Sequence, residues 1–206
     1  MSFYLFPRVI PKSDCKKYLE YCLGNADFKD GATIKRGLTD TFNENLFSSS
    51  NERTTDHTMR KTSVSFIDDK KDLMNDIMWG FVRHANRKYF NYDLKSFQPI
   101  QFAKYQNGGH YDWHQDATVV NTEEKKLTRK LSLTFSITDP SEYEGGELQF
   151  YNGGRAMRKK WNGLSEEIKQ VGTVIVFDSR DWHRVTSVTK GVRYSIVCWT
   201  VGPNFI

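Results

Sequence analysis

The hydrophobic positions in the first part of the chain predict two strands with a helix between them. Phe3–Ile10 and Thr62–Ile67 have the pattern of short strands. Ser13 is predicted to cap the start of the helix, which ends at Gly24-Asn25. The apolar positions of this helix recur at helical spacing and include two cysteines that we interpret as core residues: Cys15, Tyr18, Leu19 and Cys22.

The segments on either side of the second strand differ in polarity. Asp27–Lys61 is rich in Gly, Thr, Asn and Ser, which predicts a long loop able to close over a substrate. Asp68 or Asp69 is predicted to cap a helix that runs to about Phe90 and lies flat against a sheet. Its apolar stripe consists of Leu73, Ile77, Phe81, Val82 and Ala85.

From Pro99 onward the pattern is that of short strands separated by glycine-rich turns. Two stretches between the strands, Val119–Lys130 and Asn152–Gln170, are polar and charged and are predicted to be insertions. Short strands that follow helices indicate a mostly β protein, an antiparallel sandwich or barrel with an N-terminal helical layer. The predicted strands are Pro99–Tyr105, Leu131–Thr138, Glu147–Tyr151, Thr173–Asp178 and Val192–Val201.

Composition narrows the class of protein. The 206 residues, 38% of them hydrophobic, suit a single domain, and the net charge of +5 permits an acidic partner without requiring nucleic acid. Three cysteines without Cys-x-x-Cys spacing argue against a disulfide framework and indicate a reducing compartment. No stretch approaches membrane-spanning length, and the apolar run at the N-terminus is too short for a signal peptide. We therefore expect a cytoplasmic protein.

The candidate chemistry lies in two pieces of the β region. His114 and Asp116 are two residues apart, so on an extended strand their side chains point to the same face. His183, from a distant strand, would complete a set of two histidines and one carboxylate. Such a set leaves half of an octahedral metal ion open, as in non-haem Fe(II) oxygenases.

Three stretches resemble the prolyl-4-hydroxylase-like dioxygenases that use 2-oxoglutarate and Fe(II). Tyr105–Asp116 resembles the metal-binding segment of that family, and Leu131–Ser136 with Tyr143–Leu148 resembles its next strands. His183–Ser195 is similar to the branch called PKHD-type hydroxylases. The resemblance implies a double-stranded β-helix, or jelly-roll barrel, with iron inside one end. We predict one domain over residues 1–206, with helices, loop and supporting strands in 1–98 and the jelly-roll core in 99–203.

The resemblance also implies roles for individual residues. His114, Asp116 and His183 are expected to bind Fe(II). Arg193 is expected to pair with the distal carboxylate of 2-oxoglutarate, with the Ser195 hydroxyl on the same carboxylate. Tyr105 matches a tyrosine whose hydroxyl points toward this cosubstrate. O₂ is the second cosubstrate, and ascorbate is a candidate further requirement.

One position departs from the family pattern, and it concerns the cosubstrate. Some relatives carry a tyrosine on the strand that follows the metal motif, where this chain has Ser136 or a neighbour. The contact that this tyrosine makes with the cosubstrate is therefore either missing here or made by Ser132.

The expected substrate is a prolyl residue of a protein or peptide. A free amino acid or small metabolite, and a catalytically inactive jelly-roll binding module, remain alternatives. Nucleic-acid demethylases of the AlkB type carry Arg-x-Asn-x-x-x-Arg on the last strand, where this chain has Ser195 and Trp199 after Arg193, so nucleic acid is disfavoured. The oligomeric state stays open. A basic cluster would steer an acidic segment if it is functional: Arg155, Arg158, Lys159 and Lys160.

Overall fold

The structure of the protein is a computed structural model that describes residues 3–31, 33–34, 53–54, 56–67, 73–121, 126–151 and 158–205. Within these residues antiparallel strands predominate, and two helices lie in the N-terminal half. The prediction of a mostly β fold with N-terminal helices is therefore confirmed. None of the described helices is both long enough and apolar enough to cross a membrane.

The helices are few and short. Helix α1 spans Lys12–Asn25, α2 spans Leu73–Ala85 and continues as a π-helical turn, Asn86–Phe90, and α3 spans Arg158–Lys169. The strands are β1 (Phe3–Phe6), β2 (Lys29–Asp30), β3 (Thr33–Ile34), β4 (Arg53–Thr54), β5 (Arg60–Lys61), β6 (Ser63–Ile67), β7 (Ser96–Phe97), β8 (Ile100–Gln106), β9 (His110–His114), β10 (Val119–Asn121), β11 (Lys126–Ser136), β12 (Tyr143–Gly145), β13 (Leu148–Phe150), β14 (Val174–Asp178), β15 (His183–Val185) and β16 (Val188–Gly202).

Two sheets form the body of the domain. The larger has the strand order β1-β14-β11-β16-β8-β6-β2, with β7, β10 and β12 paired to it at the sides, and the smaller has the order β13-β15-β9-β5. Among the described residues the paired strands run antiparallel, and β16 is the longest strand. These two facing sheets agree with the predicted jelly-roll.

The larger sheet has a separate hydrophobic core on each of its faces. On β14, Val174 and Val176 point to the side covered by α1 and α2, while Ile175 and Phe177 point toward the smaller sheet. This division follows from the two-residue period of a strand. All three cysteines are buried and none forms a disulfide bond, and Cys15 and Cys22 pack in the helical-side core, as predicted.

The predicted start of the first helix is wrong. The helix begins at Lys12 with Pro11 at its N-cap, and no side chain caps it. The Pro11 carbonyl accepts hydrogen bonds from the amides of Asp14 and Cys15, so the backbone begins the helix before Ser13. The predicted caps of the second helix, Asp68 and Asp69, lie outside the described residues.

The two stretches predicted to be insertions contain regular structure. Val119–Lys130 holds β10 and the first part of β11, which has a β-bulge between Arg129 and Leu131 that interrupts the alternation. Asn152–Gln170 holds α3, whose polar sequence buries Ile168. Of the predicted loop Asp27–Lys61, residues 35–52 lie outside the described residues, as does Arg155 of the basic cluster.

Two glycines differ in the space around them, and replacing each with alanine tests how closely the chain packs there. Gly172 has φ +85°, and a Cβ there would lie 2.1 Å from the Ile10 carbonyl oxygen. Gly80, within α2, has nothing within 4 Å of such a Cβ. We expect Gly172→Ala to lower the free energy of unfolding by more than about 1 kcal/mol, and Gly80→Ala to raise it by roughly 0.5–1 kcal/mol. Urea unfolding followed by circular dichroism measures both changes, and equal effects would contradict this packing.

Candidate metal centre

Three side chains with metal-binding atoms meet between the two sheets. His114 ends β9, Asp116 follows it in the loop, and His183 begins β15 directly opposite His114. One donor atom from each residue lies within 4.8 Å of the other two. The three residues singled out from the sequence therefore lie together in the structure, although Asp116 lies beyond the end of its strand.

Backbone carbonyl groups orient both imidazoles. Nδ1 of His114 lies 2.7 Å from the carbonyl oxygen of Asp112, and Nδ1 of His183 lies 2.9 Å from that of Asp181. A carbonyl can only accept, so each Nδ1 carries the hydrogen and donates it. The Nε2 atoms then face Asp116, at 3.7 Å from Oδ1 for His114 and 3.5 Å from Oδ2 for His183.

The protonation states follow from burial and from the charges of the three groups. Burial, reinforced by His183, lowers the pKa of His114 to about 3, so this imidazole is neutral. Burial opposes ionisation of Asp116, but His183 and its hydrogen bond hold the pKa of that carboxyl well below its usual range. Burial also opposes the charge on His183, yet Asp116 raises the pKa of this imidazole overall.

The donor set fits a divalent cation. Two imidazole nitrogens and one carboxylate oxygen are the ligands that non-haem Fe(II) sites use, and the carbonyl partners on Nδ1 are the outer contacts that such ligands require. A cation between them would replace the proton that the Asp116 carboxylate otherwise favours on His183.

Neighbouring aromatic rings fix the two imidazole planes. Tyr111 stacks on His114 with a centroid distance of 3.4 Å and an interplanar angle of 10°. Phe177 meets His183 edge-on at 4.8 Å. The donor atoms are therefore positioned by packing as well as by hydrogen bonds.

The three residues open into a cavity of about 150 Å³ between the sheets. Arg193 and Ser195, two residues apart on β16, line the same cavity, and Arg193 Nη1 donates to Ser195 Oγ at 3.2 Å. Tyr105 on β8 also lines it, with its ring centroid 5.2 Å from the Arg193 guanidinium carbon. All six residues singled out from the sequence thus surround one space.

Neither serine considered for a cosubstrate contact lines this cavity. Ser132 donates to Asp116, and Ser136 donates to the carbonyl oxygen of Ile168 at 2.6 Å. Thr134, between them on the same face of β11, lines the cavity instead.

A second hydroxyl near Arg193 comes from Tyr143 on β12, which the sequence argument did not assign. Burial raises the pKa of its phenol, and the neighbouring Arg193 guanidinium acts in the opposite direction. Gly146 explains the contact, because a Cβ at this residue would lie 2.8 Å from Arg193 Cδ and 3.3 Å from the Tyr143 ring. The Gly145-Gly146 pair in the sequence was the available signal.

Two arginines of the cavity wall, Arg60 and Arg129, were not predicted from the sequence. Arg60 lies over the Tyr111 ring at 4.5 Å and donates to Gln101 at 3.3 Å. Arg129 lies 3.9 Å above the centroid of the Trp199 ring. The indole N–H of Trp199 is buried and has no hydrogen-bond partner among the described residues.

Comparison with known proteins identifies the family. Residues 100–201, about half of the chain, match the family model described as the 2OG-Fe(II) oxygenase superfamily. The chain belongs to this superfamily. The resemblance predicted from the sequence is therefore confirmed, and the matched range holds all six residues of the predicted site.

The PKHD-type hydroxylases are among its relatives in this superfamily. The chain is 33% identical to the PKHD-type hydroxylase of Teredinibacter turnerae over 49% of its own length and 42% of the relative's. It is 38% identical to the PKHD-type hydroxylase of Aliarcobacter butzleri over 48% of its own length and 41% of the relative's. The match thus spans less than half the length of these two relatives.

Solved structures of prolyl hydroxylases share the fold. A Pseudomonas putida prolyl-4-hydroxylase aligns with a TM-score of 0.63 and 16% identity, covering 96% of this chain and 91% of that one. The viral collagen prolyl hydroxylase of Paramecium Bursaria Chlorella virus-1 aligns with a TM-score of 0.64 and 17% identity, and the alignment covers 98% of this chain and 97% of that one. A Trichoplax adhaerens prolyl hydroxylase, in complex with a hypoxia inducible factor peptide fragment, aligns with a TM-score of 0.66 and 15% identity. That alignment covers 96% of this chain and 82% of the other.

Proposed function

We propose that this superfamily member is a 2-oxoglutarate- and Fe(II)-dependent dioxygenase that hydroxylates a prolyl residue of a protein or peptide. The observation that carries the proposal is one cavity with His114, Asp116 and His183 on one wall and the Arg193–Ser195 pair on another. A metal site and a carboxylate site within a single small space are what a dicarboxylate cosubstrate requires.

Each wall residue has a role that its chemistry suits. His114, Asp116 and His183 hold Fe(II) through their Nε2 and carboxylate atoms. Arg193 holds the distal carboxylate of 2-oxoglutarate, because its planar fork makes two parallel hydrogen bonds to such a group. The Ser195 hydroxyl accepts from that guanidinium, and the Tyr143 side chain lies beside it, next to Gly146.

When bound, Fe(II) and 2-oxoglutarate supply the chemistry that uses O₂ to oxidise a C–H bond. The chain binds and orients the reactants and keeps water away from them. Leu148 and Val185 line the cavity beside the metal residues and make that part of the wall apolar. Ascorbate is included in the proposal as a reductant that sustains turnover.

The cavity entrance supports a peptide substrate. Phe66 is 54% exposed and lines the cavity, so it offers an apolar surface for a proline ring. Arg129 and the indole N–H of Trp199 offer donors to a backbone carbonyl oxygen. A buried donor without a partner costs about 1–3 kcal/mol, so a substrate acceptor would recover that energy.

The substrate test is a panel of proline-containing peptides, free amino acids and methylated oligonucleotides. Each is incubated with the protein, Fe(II) and 2-oxoglutarate, and 2-oxoglutarate consumption and product mass are recorded. We expect one added oxygen on a prolyl residue of a peptide. Oxidation of free amino acids alone, or demethylation of an oligonucleotide, would replace the proposed substrate.

The metal assignment predicts a loss of ion binding in a single variant. We expect His183→Ala to abolish turnover and the rise in unfolding temperature that Mn(II) causes, while the circular dichroism spectrum is retained. His110→Ala is the matched control, because His110 lies on β9 with His114 but its two ring nitrogens contact the carbonyls of Gly108 and Thr58. A folded His183→Ala protein with near-normal turnover would refute the assignment.

The carboxylate assignment predicts a graded effect on the cosubstrate. We expect Arg193→Lys to raise KM for 2-oxoglutarate by about 10- to 100-fold, since a charge-assisted bond contributes roughly 1.5–3 kcal/mol. Tyr143→Phe removes the phenol oxygen beside the guanidinium, which positions Arg193 without touching the cosubstrate, and is expected to raise KM by about 2- to 10-fold. Steady-state kinetics measures both, and unchanged values would show that another residue holds the carboxylate.

The peptide assignment predicts an effect on one substrate only. We expect Trp199→Phe, which keeps an aromatic ring but removes the N–H, to raise the peptide KM about 2- to 10-fold, the effect of one hydrogen bond. Substrate-independent 2-oxoglutarate turnover should stay unchanged. Trp79→Phe is the control, because Trp79 lies on α2 and packs against Phe97 on the other side of the larger sheet. Equal effects in both variants would exclude a specific donor role.

A further inference from the structure

Two serines form a hydrogen-bond chain behind the candidate metal-binding carboxylate. Ser132 Oγ lies 2.7 Å from Asp116 Oδ2, and Ser179 Oγ lies 2.9 Å from Ser132 Oγ. Both serines have no exposed surface. Neither lines the cavity, so a substrate in the cavity does not reach them.

The direction of this chain follows from the donors that are available. An ionised carboxylate only accepts, so Ser132 gives its single hydroxyl hydrogen to Asp116. Ser132 can then only accept from the other serine, and Ser179 must donate. Hydrogen bonds in such a chain strengthen one another in a low-dielectric interior, so Ser179 increases the donor strength of Ser132.

Backbone contacts hold the far end of the chain in place. The Ser179 amide donates to the carbonyl of Lys130 at 3.0 Å, and the Ser179 carbonyl accepts from the amide of Ala117 at 2.8 Å. Next to Ser179, Asp178 binds the Arg180 guanidinium at 2.7 Å. The loop after β14 is therefore tied both to β11 and to the residue that follows Asp116.

We propose that Ser132 is a positioning residue for the metal ion and acts through Asp116, with Ser179 as its support. The inference rests on the proposed metal site. Donation to Oδ2 makes the two carboxylate oxygens inequivalent and fixes the rotation of the group.

Ser136 provides a matched comparison. It lies four residues farther along β11, on the same face, and is 2% exposed. Its hydroxyl donates to the backbone carbonyl of Ile168, not to the metal residues. Ser136→Ala therefore removes one buried hydroxyl and its hydrogen bond while leaving Asp116 untouched.

The experiment is a titration of the full chain with Mn(II), followed by the electron paramagnetic resonance signal of the free ion. We expect Ser132→Ala to weaken binding about 10- to 100-fold, the range found when partners of metal ligands are removed. Ser179→Ala should weaken binding by a smaller factor, and Ser136→Ala should stay within about twofold of the parent protein. Thermal unfolding without metal confirms that each variant folds.

The outcomes separate this inference from the proposed function. Parent-like Mn(II) affinity in folded Ser132→Ala would overturn the positioning role while leaving the metal site standing. An equal loss in Ser136→Ala would assign the effect to general packing and would also overturn it. If Ser132→Ala does not fold, an unchanged affinity in Ser179→Ala has the same consequence. Absence of Mn(II) binding by the parent chain would overturn both the metal site and the role of Ser132.

Discussion

The site depends on the cost of burying the carboxylate of Asp116. This side chain is only 8% exposed, and an ionised group at such a position is stable only when charges and donors surround it. The structure supplies the His183 imidazole, whose charge the carboxylate favours, and the Ser132 hydroxyl, which donates to it, from two distant parts of the chain. Pairing of β9 with β15 brings the two histidines together beside this carboxylate. The loop after β14 supplies Ser179, which bonds the serine that donates to it.

Because side chains alternate along a strand, the larger sheet has its helical-side core residues on one face and its cavity residues on the other. On β16, Tyr194, Ile196 and Cys198 face the helical-side core, whereas Arg193 and Ser195 face the cavity. The helices α1 and α2 cover the first face and contribute no residue to the cavity wall. Residues of the cavity can therefore change while the core that supports them is retained.

The sequence was informative where chemistry and alternation coincide. The candidate ligand set could be singled out from the His-x-Asp spacing and the distant His183, and Arg193 with Ser195 from the family resemblance, with which strand alternation agrees. The strands of the core could be found from the same alternation. Helix α3 could not, because its sequence is mostly polar and meets the core near the cavity at a few positions, among them Leu164 and Ile168.

The other part of the site was not predicted, because it depends on contacts between residues that are distant in the sequence. Tyr143 reaches Arg193 from a different strand, and only the close approach at Gly146 permits it. Ser132 and Ser136 look equivalent in sequence, yet one bonds a carboxylate and the other a backbone carbonyl. Periodicity places side chains on a face but does not say which partner stands opposite.

The central position of β16 has a consequence for synthesis of the protein. This strand lies between β8 and β11 and also pairs with β7 and β12, although it follows all four along the chain. A chain that leaves the ribosome from its N-terminal end exposes the unpaired edges of β8 and β11 until β16 emerges. Open edges of this kind are templates for aggregation, so completion of the cavity and protection of the nascent chain occur in the same step.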